Sequence, residues 1–218
     1  LSHQLLQQLP YTMRGLQYGG AWRRASSPEF NAATIPANPL QTYFEGHTTG
    51  HGIWKWEHYL EIYHRHLNRF CGREVHILEI GIYSGGSLEM WREYFGPDCY
   101  VYGVDIEEAC RVYEDARTKI LIGDQGDRVF WQFVREQVPR IDILIDDGGH
   151  RTEQQIATLE EMLPHLQPGG VYLCEDILGS PLNQFNAYVS GLMAQFNQFN
   201  FGLLADTSQG VVWPTTPW

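Results

Sequence analysis

Between residues 74 and 177, short apolar runs alternate with stretches whose apolar residues recur every three or four positions. Five of the runs read as strands: 74–82 (EVHILEIGI), 99–106 (CYVYGVDI), 119–124 (KILIGD), 141–147 (IDILIDD) and 170–177 (GVYLCEDI), the last after the breaker Gln167-Pro168-Gly169. Runs that stay apolar throughout suit strands buried on both faces, as in a parallel sheet covered by helices. The intervening stretches carry helical stripes: Leu88, Trp91 and Phe95; Phe130, Phe133 and Val134; then Ile156, Leu159, Leu163 and Leu166 from about residue 153. Thr152 and Gln155 have the spacing of a capping box at the start of that third helix. Ahead of the first strand, Tyr59, Ile62, Tyr63, His66, Leu67 and Phe70 predict one amphipathic helix over 54–70. Phe185, Val189, Leu192, Met193 and Phe196 mark a further helix, and FGLLAD is a weak strand candidate. The pattern predicts an α/β fold, with a mainly parallel sheet and helices on both faces.

Residues 1–45 break the pattern with Pro10, Pro28, Pro36, Pro39 and the pair Gly19-Gly20, so they read as an N-terminal arm or lid before a domain over 46–218. A length of 218 residues suits one sizeable core with such an extension. The net charge of −11 leaves no electrostatic footprint for a phosphate backbone, which disfavours nucleic acid and points to a small acceptor that is not strongly anionic. No stretch approaches the roughly 18 consecutive apolar residues of a membrane span, so no membrane partner is expected. The start, Leu-Ser-His-Gln, has neither a charged n-region nor an h-region, and the absent initiator Met reads as trimming. Cys71, Cys99, Cys110 and Cys174 are widely spaced without a C-x-x-C pair and read as reduced residues of an intracellular, cytoplasmic protein. A homo-oligomer is left open.

Candidate chemistry gathers at the ends of the strands, beyond which ligands bind in open α/β sheets. After the first run, Glu79-Ile-Gly-Ile-Tyr-Ser-Gly-Gly joins strand to helix, where Gly81 and Gly85 let backbone approach a ligand. The stretch reads G-x-x-x-G-G, with Tyr83 where a dinucleotide fingerprint needs its second Gly, which disfavours NAD. Asp105 lies 24 residues beyond Gly81, close to the spacing at which an acid accepts ribose hydroxyls, and Asp124 ends the next strand. A turn followed by two strand-ending acids suits a nucleoside ligand. The fourth run ends Asp146-Asp147-Gly148-Gly149-His150 and the fifth ends Glu175-Asp176. Adjacent carboxylates after buried runs repel each other unless a cation balances them, and oxygen donors favour Mg²⁺, Mn²⁺ or Ca²⁺ over Zn²⁺. Asp147, Glu175 and Asp176 are therefore the expected ligands. His150, three residues after Asp147, is the candidate general base. His47, His51, His58, His64 and His66 lack a matching second cluster and read as surface or packing residues.

The segments GIWKWEHYLEIYHRH, LEIGIYSGGSLEMW, YGVDI, IGDQGDRVFW, IDDGGH and GGVYLCED, spanning residues 52–176, resemble class I S-adenosylmethionine (SAM)-dependent methyltransferases. Within that class they are similar to the metal-dependent macrocin, mycinamicin and rhamnosyl sugar O-methyltransferases and to the cephalosporin hydroxylase-like group. The resemblance implies a Rossmann-like sheet and a SAM site lined by Glu79, Gly81, Ser84, Gly85, Asp105, Asp124 and Asp146. It further implies Mg²⁺ (or Mn²⁺) on Asp147, Glu175 and Asp176, with His150 as base. The implied activity is methyl transfer to a hydroxyl of a sugar, catechol or other vicinal diol in natural-product or glycan chemistry. Two departures stand out. The stretch after the acid pair, Leu178-Gly-Ser-Pro-Leu-Asn-Gln, lacks the aromatic and polar residues expected at an acceptor site, and the terminal antiparallel hairpin of the class reads as missing or atypical. Two alternatives follow: a SAM-binding protein without turnover, and a cephalosporin hydroxylase-like protein, for which no iron triad is visible.

Overall fold

The computed structural model of the chain describes residues 37–177 and 184–199, the helical positions Met13, Arg14 and Gln17, and the backbone of two short strands near the end. The chain divides into two compact units, Leu1–Pro36 and Ala37–Trp218. The second starts with α1 (Pro39–Gly46), where Asn38 caps Leu40 N and proline takes the first helical position. Leu40 is fully buried in the core of this second unit, so α1 packs within it although the expected arm ran to residue 45. The rest of that arm lies largely outside the described residues.

Helix α2 (Glu57–Leu67) and a short 3₁₀ turn (Asn68–Phe70) lead into strand β1 (Val75–Ile80). The buried stripe of α2 is Leu60, Tyr63 and Leu67, while Ile62 is exposed. The expected face is thus corrected: Ile62 lies about 100° around the helix from Tyr63, too far to share its contact with the sheet. Then follow α3 (Gly86–Phe95), β2 (Cys99–Asp105), β3 (Thr118–Ile122), α4 (Arg128–Gln137), β4 (Ile141–Asp146), α5 (Thr152–Met162) and β5 (Leu166–Cys174). Leu88, Trp91 and Phe95 are buried as expected. On α4 the buried residues are Trp131 and Val134, with Phe133 exposed, because Trp131 reaches inward to donate to the Gln125 carbonyl. The capping box at α5 does not form. Arg151 is the N-cap, Thr152 is already helical, and the buried Gln155 side chain donates to the Glu175 carbonyl.

All five strands are parallel, in the order β3-β2-β1-β4-β5. β1 and β4 are buried at every position, which is why they read as mainly apolar runs, with His76, Glu79, Asp142 and Asp146 as the buried polar exceptions. β5 begins earlier than expected, at Leu166; the Gln167-Pro168-Gly169 breaker sits inside it as an irregularity, so that Leu166 pairs with Ile141 and Val171 with Ile143. One core lies against each face: Ile77, Val101, Ile143, Ile145 and Val171 meet α1, α2 and α3, while Leu78, Val104, Leu144 and Ile80 meet α4 and α5. Helix α6 (Gln184–Phe199) follows with Phe185 buried. β6 (Leu204–Asp206), within the FGLLAD segment, pairs antiparallel with β7 (Val211–Trp213), a strand the sequence reading did not find. The terminal hairpin is therefore present but atypical, because it forms a separate two-stranded sheet.

The chain builds β2 and β3 to one side of β1, then crosses to build β4 and β5 on the other. The carboxyl ends of β1 and β4 flank this reversal, and a crevice opens there.

Candidate active site

A cleft of about 420 Å³ lies at the reversal point, in the size range of small-molecule and cofactor sites. Its walls combine apolar Ile80, Ile82, Val104 and Ile106 with Asp105, Asp124, Asp147, His150 and Asp176. The glycine-rich turn after β1 forms one edge. A side chain at Gly81, whose φ is +81°, would collide with the Asp147 carbonyl, so the turns after β1 and β4 approach as closely as they do only because residue 81 is glycine. Asp105 Oδ2 accepts from the backbone N–H of Ile82 and Tyr83, both at 3.1 Å, and Oδ1 accepts from Glu107 N. The carboxylate organises the turn while lining the cleft. Ser84 Oγ donates to the Gly52 carbonyl at 2.8 Å, tying the segment before α2 across the turn. Asp124 Oδ1 accepts from Gly126 N and Gln154 Nε2.

On the opposite side, Asp147, His150 and Asp176 converge, with one ligand atom from each lying within 4.8 Å of the others. His150 Nε2 is 4.0 Å from Asp147 Oδ1, and His150 Nδ1 is buried with no hydrogen-bond partner. Asp176 Oδ1 accepts from Trp56 Nε1 and the Tyr59 hydroxyl. Among the described residues the non-glycine positions with positive φ are Tyr83, His150 and Asp176, and all three line the cleft. Such conformations cost about 1–3 kcal/mol each and persist where surrounding structure holds a site in shape.

Several expected residues lie beneath the cleft. Glu79 is fully buried; its Oε2 accepts from Ser87 Oγ and Trp91 Nε1. Burial pushes its carboxyl up from the ordinary range, against the pull of Lys55. Asp146 faces the other side of the sheet, accepting from Gln125 Nε2 and the Tyr172 hydroxyl, and burial raises its pKa too. Glu175 is buried, with its carboxylate turned to the Tyr63 hydroxyl at 2.5 Å and to Lys55; burial pushes its pKa up to about 7, offset in part by Lys55 and raised further by Asp147. Gly85 starts α3 beside Tyr113 and does not line the cleft. The structure thus brings Gly81, Ser84, Asp105, Asp124, Asp147, His150 and Asp176 together, and places Glu79, Gly85, Asp146 and Glu175 outside the cleft lining.

The residue that sequence reasoning missed is Lys55. Its side chain is 2% exposed, and Nζ lies 2.8 Å from Asp147 Oδ2, 3.1 Å from both Glu175 oxygens and 3.2 Å from Glu79 Oε1. Burial alone would lower its pKa, but Glu79, Glu175 and Asp147 hold it well above the ordinary value. The only sequence signal was its position between Trp54 and Trp56, ahead of an amphipathic helix. The donor set fits a divalent cation. Asp147, Glu175 and Glu79 gather on one lysine, Asp176 joins Asp147 as a fourth carboxylate, and Asp147 Oδ1, Asp176 and His150 present hard or borderline donors at one opening. The cleft likewise suits a nucleoside group, with apolar walls for a base and Asp105 and Asp124 as hydroxyl acceptors.

Comparison with known proteins agrees with this fold. Residues 78–177 match a family described as a methyltransferase domain, and the five parallel strands around them form a Rossmann-like sheet. The chain superposes on the MycE methyltransferase from the mycinamycin biosynthetic pathway, solved in complex with Mg and SAH, with a TM-score of 0.64 at 24% identity, over 79% of this chain and 49% of that one. Among curated relatives it is 35% identical over 136 residues to the 8-demethyl-8-alpha-L-rhamnosyl tetracenomycin-C 2'-O-methyltransferase of Streptomyces olivaceus, covering 58% of this chain and 35% of that protein. It is 34% identical over 181 residues to the L-olivosyl-oleandolide 3-O-methyltransferase of Streptomyces antibioticus, covering 78% of this chain and 45% of that protein. The chain thus spans less than half the length of these curated relatives. Among the described residues no helix is long and apolar enough to cross a membrane.

Proposed function

We propose that this chain carries the catalytic part of a metal-dependent O-methyltransferase that moves the methyl group of SAM to a hydroxyl of a sugar or other vicinal diol. The observation that carries this reading is the convergence of Asp147, His150 and Asp176 on one wall of a cleft whose other wall is the Gly81 turn with Asp105 and Asp124. The relatives named for methylation of sugar-bearing natural products support the acceptor class. The net charge of −11 supports a small acceptor over nucleic acid.

When bound, SAM would supply the methyl group, and a divalent cation such as Mg²⁺ or Mn²⁺ would orient neighbouring hydroxyls and acidify one of them. Asp105 and Asp124 would accept the hydroxyls of the nucleoside, with Ile82, Val104 and Ile106 as its apolar surround. Asp147 and Asp176 would hold the cation, and Glu175 shares the Lys55 ammonium with Asp147. His150 removes the acceptor proton at Nε2, which lies 4.0 Å from Asp147 Oδ1. The same grouping allows a second assignment, in which His150 donates Nε2 to the cation and is not free to act as base.

The test is transfer of labelled methyl from SAM to a panel of glycosides and catechols, with Mg²⁺ and after chelation. Transfer that survives chelation undiminished overturns the metal role. Tight SAM binding without transfer to any acceptor favours a binding protein without turnover. If Mn²⁺ binding by a His150→Ala variant matches the parent while turnover collapses, His150 is the base; if both fall together, it is a ligand.

A further inference from the structure

Three of the four clustered carboxylates face the same side of the sheet. Side chains alternate along a strand, so Glu79 on β1 shares a face with Ile77, and Asp147 after β4 shares one with Ile143 and Ile145. Glu175 follows Leu173 on that same face. The pairing of Asp146 with Cys174 then brings Asp147 beside Glu175, and the pairing of Glu79 with Ile145 puts Glu79 one step below. This is the face that α2 and α3 cover. Lys55, just ahead of α2, enters from that side and donates to Asp147 and Glu175, with Glu79 also within ion-pair distance.

The contacts are unequal in their consequences. Lys55 takes Asp147 Oδ2 at 2.8 Å, which fixes the rotation of that carboxylate and leaves Oδ1 directed to His150. Lys55 and the Tyr63 hydroxyl together occupy Glu175, turning it away from the opening. Glu79, braced by Ser87 and Trp91, has one oxygen left, and that oxygen faces Lys55. We propose that Lys55 is a positioning residue for the cation site: a buried ammonium that aims Asp147 Oδ1 into the cleft and holds Glu175 behind it. The inference rests on the metal-dependent reading above. An outer group that orients a ligating carboxylate typically changes metal affinity 10- to 100-fold when removed.

The test measures Mn²⁺ and S-adenosylhomocysteine binding separately by calorimetry on the full chain, alongside melting. Lys55→Met removes the ammonium but strands buried carboxylates, so the decisive variant is Lys55→Met with Glu79→Gln, which keeps the site's formal charge unchanged; Glu79→Gln alone is its control. The expected result is Mn²⁺ affinity weakened at least about tenfold relative to that control, with S-adenosylhomocysteine affinity within about twofold. Unchanged or tighter Mn²⁺ binding in the double variant overturns the inference and leaves the metal reading intact. Equal losses for both ligands also overturn it, because they report general damage. Absence of Mn²⁺ binding by the parent protein overturns the metal reading and this inference with it.

Discussion

The carboxylates under the cleft and those inside it all come from the carboxyl ends of the parallel strands, yet they live in different media. Glu79, Asp146 and Glu175 are buried, and burial pushes all three toward the neutral form. Asp105, Asp124, Asp147 and Asp176 line the opening. Each adjacent acid pair is split between the two groups, Asp146 from Asp147 and Glu175 from Asp176. A buried carboxylate must be matched by donors on the spot. Gln125 and Tyr172 serve Asp146, Tyr63 and Lys55 serve Glu175, and Ser87, Trp91 and Lys55 serve Glu79. One at the opening keeps lone pairs for whatever enters. On the proposed reading the lower layer sets geometry and the upper layer meets ligands.

The comparison breaks most readily at the upper layer. His150→Ala should lower turnover by about 10²–10⁴-fold if His150 is the base, while S-adenosylhomocysteine affinity stays near that of the parent. Asp147→Asn should abolish Mg²⁺-stimulated transfer to a similar degree, because Oδ1 is the donor aimed into the opening. Steady-state kinetics with a calorimetric control would check both, and undiminished turnover in either variant would remove that residue from the chemistry.

Much of this arrangement was legible in the sequence. The order of strands and helices followed from apolar runs and stripes, and the clustering of acids at strand ends followed from where those runs stop. The division of the acids was in principle readable as well. Strand alternation places Asp147 with Ile143 and Ile145, and Asp146 with Leu144, on opposite faces. Which face would be roofed over by α2, and that Lys55 would come with it, depends on tertiary packing that no local pattern encodes. The same limit explains Gln155, whose capping spacing was real but whose amide found Glu175 instead. β7 escaped because a three-residue strand leaves too short a run to show alternation.

Below these effects comes the stability of the two layers. Glu175→Gln should destabilise the metal-free protein by up to about 3 kcal/mol, because the carboxamide N–H₂ would replace the Oε2 that accepts from Lys55 and leave two buried donors facing each other. Asp176→Asn, at the half-buried end of the same pair, should cost less than about 1 kcal/mol. Denaturant titrations at neutral pH compare them directly. Equal costs would erase the distinction between layers.

The smallest effect belongs to a carboxylate outside both layers. Glu161 accepts from Arg128 and Arg135 near the surface, and hydrogen bonds from those guanidiniums hold its carboxyl below the ordinary value of 4.5. A folded-state pKa below the unfolded one means that the stabilisation is fully present above about 4.5 and is lost as the pH falls through the lowered value. Solvent screens such pairs, so Glu161→Gln should lower the melting temperature at pH 7 by no more than about 2 °C. The difference from the parent should shrink as the pH drops below 4.5 and again when salt is raised at pH 7. Melting curves across pH and salt read both trends. A loss at pH 7 as large as that of Glu175→Gln would mean that partnership, rather than burial, sets what a carboxylate contributes here.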